Sequence, residues 1–80
     1  MKRNFELKVG LLYKLPHGTG KLIGKERFNS EGGTMSPDTE NLDSSYEYQR
    51  YLFEIDGSCK WSKLMGTTKY ACLKKNIQEL

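Results

Sequence analysis

The chain of 80 residues contains one histidine, two cysteines and one tryptophan. His17 lies among turn-forming residues, and Cys59 and Cys72 form no C-x-x-C pair, so the four closely spaced ligands of a structural zinc site are missing. A histidine-based relay would have to assemble around this one imidazole. We therefore predict no metal, no cofactor and no catalytic residue, and we expect that the protein is not an enzyme.

Long apolar runs are also missing. No segment approaches the roughly 20 apolar residues that a membrane-spanning helix requires. The basic start of the chain is followed by alternating residues and not by the uninterrupted apolar region of a signal peptide. We expect a cytoplasmic protein without a membrane partner, in which the two cysteines are thiols or a disulfide and the oligomeric state is open.

A glycine-rich phosphate loop is incomplete in this chain. The run Gly18-Thr19-Gly20-Lys21 contains closely spaced glycines, but a Walker A pattern would have glycine in place of Leu15 and serine or threonine in place of Leu22. The two glycines are better explained as turn residues of a hairpin.

The feature that organises the rest of the chain is a strict alternation over residues 5–15. Its apolar members are Phe5, Leu7, Val9, Leu11, Tyr13 and Leu15. A period of two predicts one long amphipathic strand. A turn over residues 16–20 and a second, antiparallel strand over 21–28 follow, in which Gly24 predicts a bulge, a sharp bend or a close approach by another backbone.

The middle of the chain is polar and acidic. Residues 29–45 predict a long loop, with at most one helical turn opened by Ser36-Pro37-Asp38. Residues 46–55 fit two templates, an aromatic and β-branched strand or a capped helix over 45–56. We favour the strand, because Asp56-Gly57 then forms a hairpin turn into a further strand over 59–64.

The last segment predicts a helix after Gly66, which we favour over a competing strand through Tyr70, Cys72 and Lys74. Tyr70, Leu73, Ile77 and Leu80 are spaced as one apolar stripe. The expected fold is therefore one small domain over 1–80, mainly β, with a curled, barrel-like antiparallel sheet of four to five strands and a short C-terminal helix. The alternative is an α+β fold with a helix over 45–56.

Charge divides the chain into three parts. Formal charge is +5 over residues 1–28, −6 over 29–57 and +4 over 58–80. This order predicts either a self-complementary surface or two surfaces of opposite sign that face partners.

Two functional hypotheses follow. In the first, the protein is a small regulator or inhibitor that binds a protein partner, such as a nucleic-acid-handling protein, through its acidic, Tyr-rich middle segment. In the second, it binds RNA or single-stranded nucleic acid through basic strand faces. The residues of the first site are Asp38, Glu40, Asp43, Tyr46, Glu47 and Tyr48; those of the second are Lys8, Lys14, Lys21, Lys25, Arg27, Lys60 and Lys63.

Overall fold

The structure is a computed structural model that describes residues 6–40, 42 and 48–80. Its elements are β1 (Leu12–Leu15), β2 (Gly18–Phe28), β3 (Thr34–Asp38), β4 (Arg50–Ile55), α1 (Lys60–Met65), β5 (Lys69–Leu73), a 3-10 turn (Lys74–Asn76) and β6 (Gln78–Glu79). The strands form one antiparallel sheet, and the only other regular elements in the described ranges are the short helix and the 3-10 turn. The expectation of a mainly β fold with an antiparallel sheet is confirmed, and the sheet has six strands where four to five were expected.

The long strand β2 organises the sheet. The strand order is β5-β4-β2-β1-β6, and β3 also pairs with β2. Lys25 of β2 pairs with both Asp38 and Tyr51, whereas Gly20 pairs with both Tyr13 and Ile55. β1 and β3 therefore occupy successive halves of one edge of β2, and β4 occupies the other edge.

The sheet curls around a core on one of its faces. That core consists of Leu7, Tyr13, Leu15, Leu22, Tyr51, Phe53, Ile55, Cys72 and Ile77. A Cβ atom at Gly20 would lie 2.7 Å from Leu15 Cδ1 and 2.9 Å from Ile55 Cγ2. Leu15 of β1 and Ile55 of β4 thus both pack over Gly20 of β2, the strand between them, and the missing side chain leaves room for them on the core face.

The connection from β5 to β6 requires the same curl. Those strands lie at opposite ends of the strand order, so four strand spacings, about 19 Å in a flat sheet, separate them. Only residues 74–77 join Leu73 to Gln78, and such a segment spans at most about 17 Å. The two ends of the sheet must therefore approach each other, although no ladder joins β5 to β6 in the described residues.

The predicted bulge at Gly24 is confirmed. The register of β2 against β4 shifts between Leu22 and Gly24, and Gly24 has φ +156°. A Cβ atom there would lie 2.7 Å from the backbone oxygen of Asp38. The extra residue reverses the alternation, so that Lys25 lies opposite Tyr51 on the core face and is buried.

The first strand is shorter than predicted. Only Leu12–Leu15 is strand, because Gly10 has φ +93° and Leu11 N–H donates to Lys8 C=O in a turn. The Tyr13 hydroxyl accepts the Lys8 N–H at 2.8 Å and donates to Glu6 C=O at 3.1 Å. These bonds bring residues 6–8 to Tyr13, and Leu7 is buried in the core. Phe5 lies outside the described residues.

The strand predicted over 59–64 is wrong, because α1 occupies this segment. Cys59 caps its first turn, where the sulfur accepts Ser62 N–H at 3.4 Å. Gly66, with φ +73°, ends the helix and donates its N–H to Ser62 C=O. Both caps are local, so the short helix forms without an amphipathic pattern.

The helix predicted after Gly66 is also wrong. Residues 69–73 form β5, in which Cys72 pairs with Tyr51 and is buried, and the 3-10 turn and β6 follow. The strand favoured within 46–55 is confirmed as β4 over Arg50–Ile55, so the alternative helix is wrong over those residues. One edge of β4 pairs with β2. Residues 69–73 pair with the opposite edge and so satisfy its backbone donors and acceptors.

The predicted loop over 29–45 contains a strand. β3 covers Thr34–Asp38, including the segment where a helical turn was expected, and it pairs with the second half of β2. In the part of the chain that the structure describes, no helix is long and apolar enough to cross a membrane.

The bulge yields a prediction about stability. We expect Gly24→Ala to lower the free energy of unfolding by about 2–4 kcal/mol, because the methyl group meets a backbone carbonyl and the φ angle is unfavourable. Gly10→Ala is the matched control, since Gly10 also has positive φ but has open space around it. Urea unfolding measures both variants, and equal losses would contradict the steric explanation.

Candidate functional site

The acidic segment is only partly described. Asp43, Tyr46 and Glu47 lie outside the described residues. Asp38 Oδ2 lies 3.9 Å from Lys25 Nζ, and Asp38 Oδ1 accepts Glu40 N–H at 2.9 Å. Glu40 is exposed, and Tyr48 is 72% exposed. Of the predicted residues that are described, Asp38 has a structural role, whereas Glu40 and Tyr48 face solvent.

Three of the predicted basic residues have internal partners. Lys25 is buried beside Asp38, and Arg27 Nε donates to Ser36 C=O at 2.8 Å. Lys8 Nζ lies 3.8 Å from a Glu6 carboxylate oxygen. The structure therefore does not gather the predicted basic residues into one strand face.

The other four predicted basic residues are exposed. Lys14 and Lys21 lie on β1 and β2, and Lys60 and Lys63 lie on α1. None of them has a carboxylate within salt-bridge distance among the residues that the structure describes. Lys14 and Lys60 carry charge that the fold leaves available to an anionic ligand. Lys21, in contrast, lies opposite Glu54, and Lys63 is close enough to Asp56 to help lower the pKa of that carboxyl.

Basic and aromatic groups collect at one end of the sheet, which we call the hairpin end. It consists of the Pro16-His17 turn between β1 and β2, helix α1, the start of β5 and the 3-10 turn. The turn is shorter than the predicted span of 16–20, since Leu15 pairs directly with Gly18, whose φ is +139°. Gly20, which was expected in the turn, is buried within β2. α1 follows β4 at its Ile55 end, and Ile55 pairs with Gly20 close to the same turn.

Three rings meet at the hairpin end, and we call them the aromatic trio. His17 stacks on Trp61 with ring centroids 6.3 Å apart and planes at 24°. Tyr70 contacts both rings edge-on, at 5.6 Å from His17 and 4.8 Å from Trp61. Burial raises the pKa of Tyr70, so its phenol stays neutral. His17 is exposed, and it forms the outer layer of the trio.

A cleft of about 360 Å³ adjoins the turn at Pro16, and we call it the basic cleft. It is lined by Lys14, Leu15, Pro16, Lys75, Asn76 and Gln78. Lys14 and Gln78 are register partners across β1 and β6, and the 3-10 turn supplies the other polar groups. Both charged groups of the lining are lysines.

The acidic groups near the hairpin end already have hydrogen-bond partners. Lys69 donates to Glu54, and this bond is the main reason why the pKa of Glu54 is lowered. Ser58 N–H donates to Asp56 at 2.9 Å, which lowers the pKa of Asp56. Both carboxylates are therefore charged at neutral pH, and Lys69 has a partner within the fold.

Among the described residues, no three His, Cys, Asp or Glu side chains converge as metal ligands. Both cysteines are free thiols, and burial raises the pKa of Cys72 to about 11, so that thiol is protonated at neutral pH. The arrangement at the hairpin end is suited to binding anions and planar rings. That the protein is not an enzyme stays a prediction.

Neither the aromatic trio nor the contribution of the 3-10 turn to the basic cleft was predicted from the sequence. His17 comes from a turn, Trp61 from α1 and Tyr70 from β5, so no spacing in the chain relates them. Lys75 and Asn76 belong to the segment predicted as helix. The one available signal is the adjacency of Pro16 and His17 in a tight turn, which places a ring at the tip of a hairpin.

The chain was compared with models of protein families, with curated proteins and with solved structures, and none of them matches it.

The different surroundings of two lysines on β2 yield a prediction. We expect Lys25→Gln to lower the free energy of unfolding by about 1–3 kcal/mol, because Asp38 loses a largely buried partner. The same change at exposed Lys21 should cost no more than about 0.5 kcal/mol. Urea unfolding compares the two variants, and equal stability would contradict a structural role of Lys25.

Proposed function

We propose that the protein is a non-enzymatic binding protein whose hairpin end binds single-stranded nucleic acid. One observation carries the proposal: exposed lysines lie on the elements that carry or adjoin an aromatic trio, and the outermost ring of the trio, His17, is itself exposed. Lysines attract phosphates without regard to sequence, and aromatic rings stack on bases. The hairpin end supplies both kinds of group on neighbouring elements.

Electrostatics at this end favours an anionic ligand. The exposed lysines Lys14, Lys60, Lys63 and Lys75 outnumber the nearby carboxylates of Glu54 and Asp56, and the charge of Glu54 is already balanced by Lys69. A strand that neutralises several of these lysines releases counterions, so its affinity falls as salt rises.

A single strand fits this surface better than a duplex. A base can stack on the His17 ring only if the face of the base is exposed. Inside a duplex, each base is already stacked on its neighbours. Reading the major groove requires a projecting helix or a two-stranded ribbon, and α1 has only six residues. We therefore expect preference for unpaired RNA or DNA with little sequence discrimination.

Binding of fluorescently labelled oligo(U) and oligo(dT) tests the proposal. We expect His17→Ala to weaken binding by about 1–3 kcal/mol, or roughly 5- to 150-fold, through the loss of one stacking ring. Since Trp61 is the only tryptophan, its fluorescence should change when a base stacks nearby. Fluorescence anisotropy at several salt concentrations supplies the affinities and their salt dependence.

Tyr48→Ala is the matched control, because Tyr48 is an exposed ring that does not belong to the aromatic trio. It should leave oligonucleotide affinity unchanged. Absence of binding at low salt, or equal loss in the two variants, would contradict the proposal.

A second candidate function is binding of a protein partner through the acidic, Tyr-rich segment of Asp38, Glu40, Asp43, Tyr46, Glu47 and Tyr48. The observation that favours it is the exposure of Tyr48, at 72%, with Glu40 also exposed. Tyrosine is a common anchor of protein interfaces, and the carboxylates would complement a basic partner surface.

Affinity capture with and without nuclease distinguishes the two functions. If the acidic segment binds a protein, Tyr48→Ala and Glu40→Lys should each reduce capture of the same partner after nuclease treatment, while His17→Ala should not. Undiminished capture by both variants of the acidic segment would exclude it as the site.

A further inference from the structure

We infer that the basic cleft binds a phosphate group of the strand whose bases stack at the aromatic trio. The inference rests on the proposed function and assigns the phosphate to a particular place. The ligand class is a nucleotide phosphate, held between Lys14 and Lys75 with the amides of Asn76 and Gln78 beside it.

The chemistry of the lining favours an anion. Lys14 and Lys75 provide positive charge, and neither has a carboxylate within salt-bridge distance in the described ranges. Asn76 and Gln78 provide amide N–H groups, which donate hydrogen bonds to phosphate oxygens. A volume of about 360 Å³ corresponds to roughly a dozen water molecules, so a phosphate with part of its sugar has room there.

The backbone holds these groups in place. Lys14 lies on β1, which is paired with β2 on one side and with Gln78 of β6 on the other. The 3-10 turn that carries Lys75 and Asn76 is closed by Ile77 N–H donating to Lys74 C=O at 3.0 Å, and Ile77 is buried in the core. The backbone that carries the lining is therefore fixed by strand pairing and by the turn, and it is the exposed side chains that order when the ligand binds.

The position of the cleft connects it to the aromatic trio. Pro16 lines the cleft, and His17 is the next residue, about 3.8 Å away between Cα atoms. The turn therefore separates a phosphate-binding surface from a base-stacking surface by one residue. A phosphate in the cleft and a base on His17 can belong to the same or to neighbouring nucleotides.

A pair of adjacent lysines supplies the test. Lys74 and Lys75 are both exposed and both belong to the 3-10 turn, but only Lys75 lines the cleft. We expect Lys75→Gln to weaken oligo(U) binding about tenfold at low salt and to reduce the salt slope by about 0.7. Lys74→Gln should have a clearly smaller effect on both quantities. Equal effects would overturn the inference, because charge alone and not the cleft would then matter.

A second variant keeps the shape of the cleft and changes its charge. Gln78→Glu replaces an amide donor with a carboxylate of nearly the same size, so it should repel phosphate and weaken oligo(U) binding at least as much as Lys75→Gln. Urea unfolding of each variant verifies that the fold is retained. Unchanged affinity in folded Gln78→Glu protein would also overturn the inference.

Titration with inorganic pyrophosphate separates this inference from the proposed function. NMR shifts of the Lys75 and Asn76 amides that saturate, together with oligo(U) binding that depends on Lys75, support a phosphate of the strand in the cleft. If His17→Ala weakens oligo(U) binding but Lys75→Gln matches Lys74→Gln, the proposed function stands and the inference fails. If pyrophosphate saturates the cleft while no oligonucleotide binds, the proposed function fails, and the cleft binds a free phosphate compound and not a nucleic acid strand.

Discussion

The close approach of β3 to Gly24 is the constraint on which the rest of the structure depends. The backbone oxygen of Asp38 lies only 2.7 Å from where a Cβ atom at position 24 would be, so a glycine lets β3 pair there without a clash. The bulge at this glycine reverses the alternation of β2 and turns Lys25 into the interior, where the carboxylate of Asp38 lies beside it. One missing side chain thus determines the path of β2 and the position of a buried charge.

The two halves of β2 lie among charged groups that the fold uses differently. Beyond the bulge, Lys25 pairs with Asp38, and Glu26 pairs with Arg50 at 2.6 Å. Toward the hairpin end, Glu54 and Asp56 are hydrogen-bonded within the protein, and several lysines stay exposed. The modest net charge of +3 conceals this difference, because the acidic groups are mostly partnered where they are described.

The errors in predicting elements share a cause. Residues 59–64 and 69–80 are short, and their apolar residues fit both periods, so hydrophobic pattern alone does not decide between helix and strand. Capping by Cys59 and Gly66 makes the first a helix. In the second, residues 69–73 form a strand because they pair with the edge of β4 that faces away from β2, whose backbone donors and acceptors would otherwise be unsatisfied. Gly24, in contrast, was interpreted correctly because a glycine inside a strand has few other uses.

The sequence by itself determined the class of the fold, the bulge at Gly24 and the presence of a turn after Leu15, because each follows from side-chain alternation or local backbone freedom. It favoured the strand within 46–55 but also fitted a helix there. Only the tertiary structure decided which lysines are exposed to a ligand. Lys25, for example, is buried because of the register shift at Gly24, and the charge of a residue in the sequence does not indicate this. The tertiary structure also decided the aromatic trio and the basic cleft. Their members are distant in the chain, and only strand pairing and curl bring them together.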